Sequence, residues 1–292
     1  MPATAITPAL LRSWPLPMPA ADGDKEARGH LLIVAGSAEM PGAILLAATA
    51  ALRAGAGKLT LATGASVAPQ VAIAMPEARV IGLDETPLGG FRHEARHQLA
   101  PLAGKVDAVL VGPGMCDAAA ACELMRHLLP LFSGSRLILD ACAMQVVRKP
   151  APCRLDQPVL LTPHAGELAQ LMGISKEAVL ADPHASAVEA ARRWHAIVAL
   201  KGAHTVIAMP DGTTWTHAGG NIGLAISGSG DTLAGIIAGL AARGAPLAQA
   251  CAWGIALHAL AGEQLALRLG ILGYLAREIP AEIPALLRQL AA

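Results

Sequence analysis

HLLIVAGSAEMPGAILLAATAALRAGAGKLTLA, from His30 to Ala62, decides how this chain folds. His30–Ala35 is a short apolar run closed by Gly36, the pattern of a strand buried on both faces. GSAEMPGA follows as a turn. Ala43–Ala54 is Ala-rich, which favours helix, and it stops at GAGK. Lys58–Ala62 is a second apolar run. Two strands joined through a helix run parallel, with the helix crossing one face of the sheet.

The pattern repeats on the C-terminal side. Strands are predicted at Val80–Leu83, Ala108–Val111, Leu137–Leu139, Val159–Leu161 and Ile197–Leu200, with helices at His93–Leu102, Ala118–Leu129 and Ala187–His195. Val206–Met209 and Thr213–His217 flank Asp211-Gly212, a hairpin signal. Two or three closing helices follow. On the N-terminal side, a short helix near Pro8–Trp14 precedes an extended, Pro-rich approach. The prediction is a single α/β domain over 1–292, with residues 1–25 as an extended N-terminal segment. Its central sheet is mainly parallel and carries helices on both faces.

Composition narrows the function classes. The chain has 292 residues, is 54% hydrophobic and only 2% aromatic, and its mean hydropathy is +0.48. Ala and Gly supply much of this, so the core is expected to pack small and aliphatic side chains. Lys+Arg and Asp+Glu both total 22, which gives no electrostatic footprint for nucleic acid and no basic run for a membrane surface. The segment ahead of His30 lacks a basic stretch followed by an apolar one, so no signal peptide is expected. The apolar stretch Gly244–Gly262 carries Pro246, Gln249 and His258 and reads as a buried helix rather than a membrane span. Five cysteines without a C-x-x-C pair (Cys116, Cys122, Cys142, Cys153 and Cys251) read as small core residues in a reducing compartment, hence a cytoplasmic protein.

Polar residues gather just past the strand ends: Gly36-Ser37, Gly112–Met115, Asp140, Thr162–Glu167, Lys201–Thr205 and Ser227–Asp231. In an open parallel sheet these ends share one rim, where ligands bind. The last group is the most specific. Ser227–Gly230, SGSG, delivers Asp231 into an uncharged run, Thr232–Ala242, that closes on Arg243 and Gly244. A Gly-rich turn opening a helix aims backbone N–H groups at an anion. Asp231 there is either a helix cap or a group that handles a proton while the amides hold a phosphate. Lys201 reads as a cation for phosphates or a solvated loop lysine. His164 reads as a ligand contact or a helix cap, and Glu167 as first-turn charge or a magnesium ligand through water. Neither a P-loop nor a G-x-G-x-x-G turn is present. HEARH at 93–97 matches a zinc motif, with His93 and His97 as ligands and Glu94 as base. It lies off the rim with no third ligand at a recognisable spacing, so an exposed polar helix is preferred.

Several segments in order resemble the NAD(P)H-hydrate dehydratases of the ribokinase-like superfamily. They are AGSAEMPGA (35–43), VGPGM (111–115), LDACAM (139–144), LLTPHAGELAQLMG (160–173), LKGAHTVIAMPDG (200–212) and GNIGLAISGSGDTLAGIIAGL (220–240). The resemblance implies ADP-dependent dehydration of the S epimer of hydrated NADH or NADPH, with Mg2+ and ADP, releasing AMP and phosphate. A small-molecule kinase of the thiazole or hydroxymethylpyrimidine type is the alternative. By motif, Ala43, Gly114, His164 and Asp231 would contact the hydrated dinucleotide. Lys201, Gly202, Ala203, His204, Thr205 and Gly230 would contact the adenine nucleotide. Gly228, Ser229 and Gly230 would form the phosphate hole, and Asp231 would be catalytic. The family further implies a homo-oligomer, a dimer or tetramer, and an epimerase that is a fused domain in some members and a separate protein here. Ala165, Ile226, Ser227 and Cys142 depart from the usual family residues.

Overall fold

A computed structural model describes residues 3–20, 22–148, 155 and 157–291. The decisive stretch folds as read: His30–Val34 and Lys58–Gly64 pair in parallel, and Gly42–Arg53 crosses between them. In chain order the strands are Thr4–Ala5 (β1), His30–Val34 (β2), Lys58–Gly64 (β3), Ala78–Leu83 (β4), Ala108–Val111 (β5), Arg136–Leu139 (β6), Val159–Leu161 (β7), Ile197–Leu200 (β8), His204–Ala208 (β9) and Thr214–Ala218 (β10). They form one sheet in the order β1-β10-β9-β8-β7-β6-β5-β2-β3-β4. From β4 to β8 every pairing is parallel, and β9 is antiparallel to both its neighbours.

The helices are Pro8–Ser13 (α1), Gly42–Arg53 (α2), Ala68–Ala74 (α3), Ala95–Leu99 (α4), Ala118–Leu131 (α5), Ala165–Met172 (α6), Lys176–Ala181 (α7), Pro183–Trp194 (α8), Ser229–Ala242 (α9), Leu247–Leu269 (α10) and Ile279–Ala291 (α11). Strand alternation separates two cores. Leu31 and Ile33 face α2, α9, α10 and α11, whereas Leu32 and Val34 face α4, α5, α6 and α8. This is why these strands are apolar throughout rather than alternating.

Two helices start elsewhere than expected. The 93–102 helix begins only at Ala95, because Phe91 is bridged to Glu85, and it tightens to a 3-10 turn at Ala100–Leu102, where Pro101 cannot donate. Helix α8 starts four residues early, with Asp182 capping Ala185 and Pro183 at the first position. Short helices α3 and α7 fill segments left unassigned, and α6 is the helix that the capping reading of His164 implied. Of the cysteines, Cys251 is fully buried, Cys116, Cys122 and Cys142 are half-buried, and Cys153 lies outside the described residues.

Candidate active site

The parallel strands β2, β5, β6, β7 and β8 deliver five of the six polar segments to one rim, whereas Ser227–Asp231 follows no strand directly and instead opens α9. The strand order reverses between β5 and β2, and a topological switch point of this kind leaves a crevice for ligands. Gly36 and Gly112–Gly114 sit there. Gly36 N–H donates to the Pro113 carbonyl at 2.7 Å. Gly114 takes a left-handed conformation, which glycine adopts without strain. It lies flat on Ala43, the second residue of α2, so that a side chain at 114 would collide with Ala43. Two of the four residues expected to contact the dinucleotide, Ala43 and Gly114, therefore lie against each other.

Next along the rim, Asp140 is buried at the end of β6. It accepts from Thr162 Oγ1 at 2.6 Å and from Lys201 Nζ at 3.0 Å. From the sequence Asp140 is only one of the polar residues just past a strand end. Its pairing with Lys201 spans 61 residues and is visible only once β6 and β8 lie two strands apart in one sheet. Lys201 Nζ also stands 4.0 Å from Glu167 Oε2. Burial disfavours the ammonium, but Asp140, Glu167 and Asp231 outweigh it and hold the Lys201 pKa above its ordinary value.

His164 caps α6 in a reciprocal box with Glu167. Its Nδ1 accepts from the Gly166 backbone N–H at 3.0 Å. The same nitrogen accepts from the Glu167 backbone N–H at 3.2 Å. In return the Glu167 carboxylate accepts from His164 N–H at 2.8 Å. Nδ1 is thus an acceptor, which leaves the proton of a neutral ring on Nε2. The cap consumes one nitrogen, and Nε2 of the exposed side chain lies 3.6 Å from Glu167 Oε2. Lys201 N–H donates to Pro163 O at 2.8 Å, which binds the 201–205 turn to the start of α6. Gly202, Ala203 and His204 are exposed in that turn, and Thr205 is buried with its hydroxyl on the Gly202 carbonyl.

The Gly-rich turn opens α9 as expected. Gly228 is left-handed at φ 86° and rests on Leu46 of α2. At Gly230 an added Cβ would stand 3.6 Å from Lys201 Nζ. Asp231 lies in the first turn of α9, partly buried. Burial raises its pKa most, Asp140 and Glu167 add to this, Lys201 opposes it, and the carboxyl reaches about 6. Asp231, Asp140, Glu167 and Lys201 thus form one cluster with three acids and one base.

HEARH is not part of it. His93 precedes α4, stacks on His127 with ring centroids 5.3 Å apart, and lies 3.4 Å from Glu94. His93 and His97 therefore do not occupy successive turns of one helix.

A family profile described as NAD(P)H-hydrate dehydratase matches residues 31–285. The chain belongs to this family. It is 50% identical to an ADP-dependent (S)-NAD(P)H-hydrate dehydratase of Xanthomonas campestris, over 98% of this chain and 96% of that protein. It is 39% identical to a bifunctional NAD(P)H-hydrate repair enzyme of Moorella thermoacetica, over 98% of this chain but 54% of that longer protein. Among solved structures, the Bacillus subtilis ADP/ATP-dependent NAD(P)H-hydrate dehydratase co-crystallised with ATP/Mg2+ superimposes with a TM-score of 0.85 at 30% identity, covering 99% of both chains. The architecture is ribokinase-like.

As a dehydratase-family member the chain keeps its charged groups on one rim even where its motif residues vary. After Ile226 and Ser227, Gly228 takes a left-handed conformation at the start of α9. Ala165 opens α6 without altering the His164–Glu167 cap. Cys142 is half-buried beside the rim, and burial pushes its thiol up, with Cys116, Asp117 and Glu167 adding to the effect.

Proposed function

We propose that this chain uses ADP to dehydrate the S epimer of hydrated NADH or NADPH, returning NADH or NADPH and releasing AMP and phosphate. The observation that carries the reading is Asp231 at the start of α9, beside Gly230 and within the field of Lys201. Hydroxide leaves a reduced nicotinamide ring poorly, and phosphate leaves well. Asp231 would orient the ring hydroxyl and take its proton. The hydroxyl oxygen then bonds to the terminal phosphorus of ADP as the anhydride P–O bond breaks and AMP departs. The ring nitrogen pushes out phosphate, and loss of a proton from the neighbouring carbon restores the double bond.

The amides of Ser229–Asp231 would hold the transferring phosphoryl group, and Lys201 would balance its charge. Lys201–Thr205 would seat the nucleotide. Ala43 and Gly114, at the switch point, would bind the dinucleotide beside His164. Among the described residues no three His, Cys, Asp or Glu side chains converge on a metal. The acid-rich cluster suits a magnesium that arrives on the nucleotide, with Glu167 holding it through water. Such an ion supplies charge neutralisation on the phosphoryl oxygens.

Four cysteines free of disulfides fit a reducing, cytoplasmic setting. Among the described residues no helix is long and apolar enough to cross a membrane. Exposed Leu267, Leu269, Ile271 and Leu272 around the end of α10 favour a homo-oligomer, and a separate epimerase would supply S epimer from R.

The test is incubation with hydrated NADH, magnesium and either ADP or ATP, following absorbance of the reduced nicotinamide. ADP-driven recovery of NADH with release of phosphate is expected. A stable phosphorylated alcohol would instead mark a kinase.

A further inference from the structure

The helix start that carries Asp231 is held from behind by a residue that no motif singles out. Ser229 opens α9, yet its side chain turns away from the rim and the residue is 5% exposed. Its Oγ shares a 3.0 Å hydrogen bond with Nε2 of His258. His258 lies in the buried middle of α10, among Ile255, Leu257, Ala259 and Ala261. Burial drives its pKa down to about 4, with Lys201 adding and the Ser229 backbone opposing, so the ring is neutral near pH 7. A neutral imidazole in such a site needs a polar partner, and the partner here belongs to the proposed anion-binding turn.

The other ties of this turn run elsewhere. Thr232 Oγ1 donates to Gly228 O at 3.0 Å and lies 3.4 Å from Ala276 O, and Gly228 packs on Leu46. The Ser229–His258 bond adds the tie to α10. It fixes the rotation of the first turn, on which the aim of the 229–231 amides and of the Asp231 carboxylate depends.

We infer that His258 is a positioning residue for phosphoryl transfer, acting through the Ser229 hydroxyl on the first turn of α9. The inference rests on the role proposed above for Asp231. Ser229→Ala keeps the amide N–H and removes only the tie. His258→Leu removes the partner at similar volume, and His258→Gln restores an amide near the Nε2 position.

In ADP-driven dehydration, Ser229→Ala and His258→Leu should each lower kcat about tenfold, equal to about 1.4 kcal/mol, with KM for ADP little changed. The double variant should be no slower than the slower single variant, because both remove the same bond. His258→Gln should recover most of the rate, and Ser229→Ala, which leaves the buried imidazole unpartnered, should lower the thermal midpoint. Parental kcat in Ser229→Ala would overturn the proposal, as would losses that multiply in the double variant. A slow Ser229→Ala beside an unaffected His258→Leu would also overturn it, since the hydroxyl would then act directly. Should His258→Leu fail to fold, a slow Ser229→Ala with a fast His258→Gln supports the tie, and any other pairing overturns it. Asp231→Asn run alongside separates the two claims. Parental turnover there defeats the underlying reading, whereas an inactive Asp231→Asn beside an unaffected Ser229→Ala defeats only this one.

Discussion

The role proposed for Asp231 requires a base, yet its surroundings make this carboxyl hold its proton more tightly than an ordinary aspartate. Burial and the neighbouring acids raise its pKa to about 6, and Lys201 keeps it from rising further. The rate should therefore climb with pH through about 6 and level off above it, read as kcat/KM for hydrated NADH. Asp140→Asn removes one like charge and releases Lys201, so it should move that limb to lower pH; an unmoved limb would argue that Asp231 is not the titrating base. Asp231→Asn should lower turnover by about two orders of magnitude or more, while ADP binding measured by calorimetry stays similar. The same substitution should stabilise the fold. The folded-state pKa lies above the ordinary 3.8, so the charged form is penalised on folding. That penalty is full above about pH 6, shrinks as pH falls through 6, and is gone below the unfolded value. The gain in thermal midpoint should accordingly be larger at about pH 8 than at about pH 4. Asp231 itself was legible from its Gly-rich turn. Asp140 was visible only as a strand-end acid, because its partner lies far away in sequence.

Helix α9 is placed by small residues. Gly235 and Gly239 lie against the backbone of Ala47 and Ala51 in α2, where an added Cβ would stand 2.7 and 2.8 Å from the two Cα atoms. Backbones this close fix the height of the Asp231 turn above the sheet. Gly235→Ala should force α2 and α9 apart at a cost of about 1–3 kcal/mol in a denaturant titration. It should also lower kcat, since the turn moves with its helix. Apolar runs made β2, β5, β7 and β8 legible almost to the residue, because strands buried on both faces announce themselves without a partner. Helix starts were less legible. Histidine is not a usual cap, so at His164 the sequence left a cap and a ligand contact open, and the folded geometry shows the cap. At α8 the Asp182-Pro183 signal was present but went unused. HEARH carried the right spacing for a helix face, but Phe91 is held extended and α4 starts too late to use it.

Over the whole molecule, the N-terminal segment is a strap rather than a plain approach to the core. β1 pairs with β10 and covers the sheet edge. Trp14 stacks on Trp215 at 5.6 Å, and its carbonyl accepts from Trp253 Nε1 at 2.9 Å and Gln249 Nε2 at 3.0 Å. Arg243, on which the uncharged run closes, donates to Ala54 O at 2.9 Å and Pro17 O at 3.0 Å. A chain starting at Pro19 should lose at least about 1–3 kcal/mol of stability, because Trp253 and Gln249 are left unpartnered in a buried site. Chemical denaturation would show it, and an unchanged midpoint would contradict the strap. By itself the sequence determined the layers and the parallel direction of the sheet, since a buried strand and an intervening helix are written in local hydrophobic pattern. It also determined that the polar segments share a rim, since parallel strands all end on the same side. Strand order, the switch point between β2 and β5, the tie from Lys201 to Asp140 and that from Ser229 to His258 were decided only by the tertiary structure. Each depends on contacts between segments far apart in the chain, and local pattern carries no record of which distant side chain will fill the space opposite.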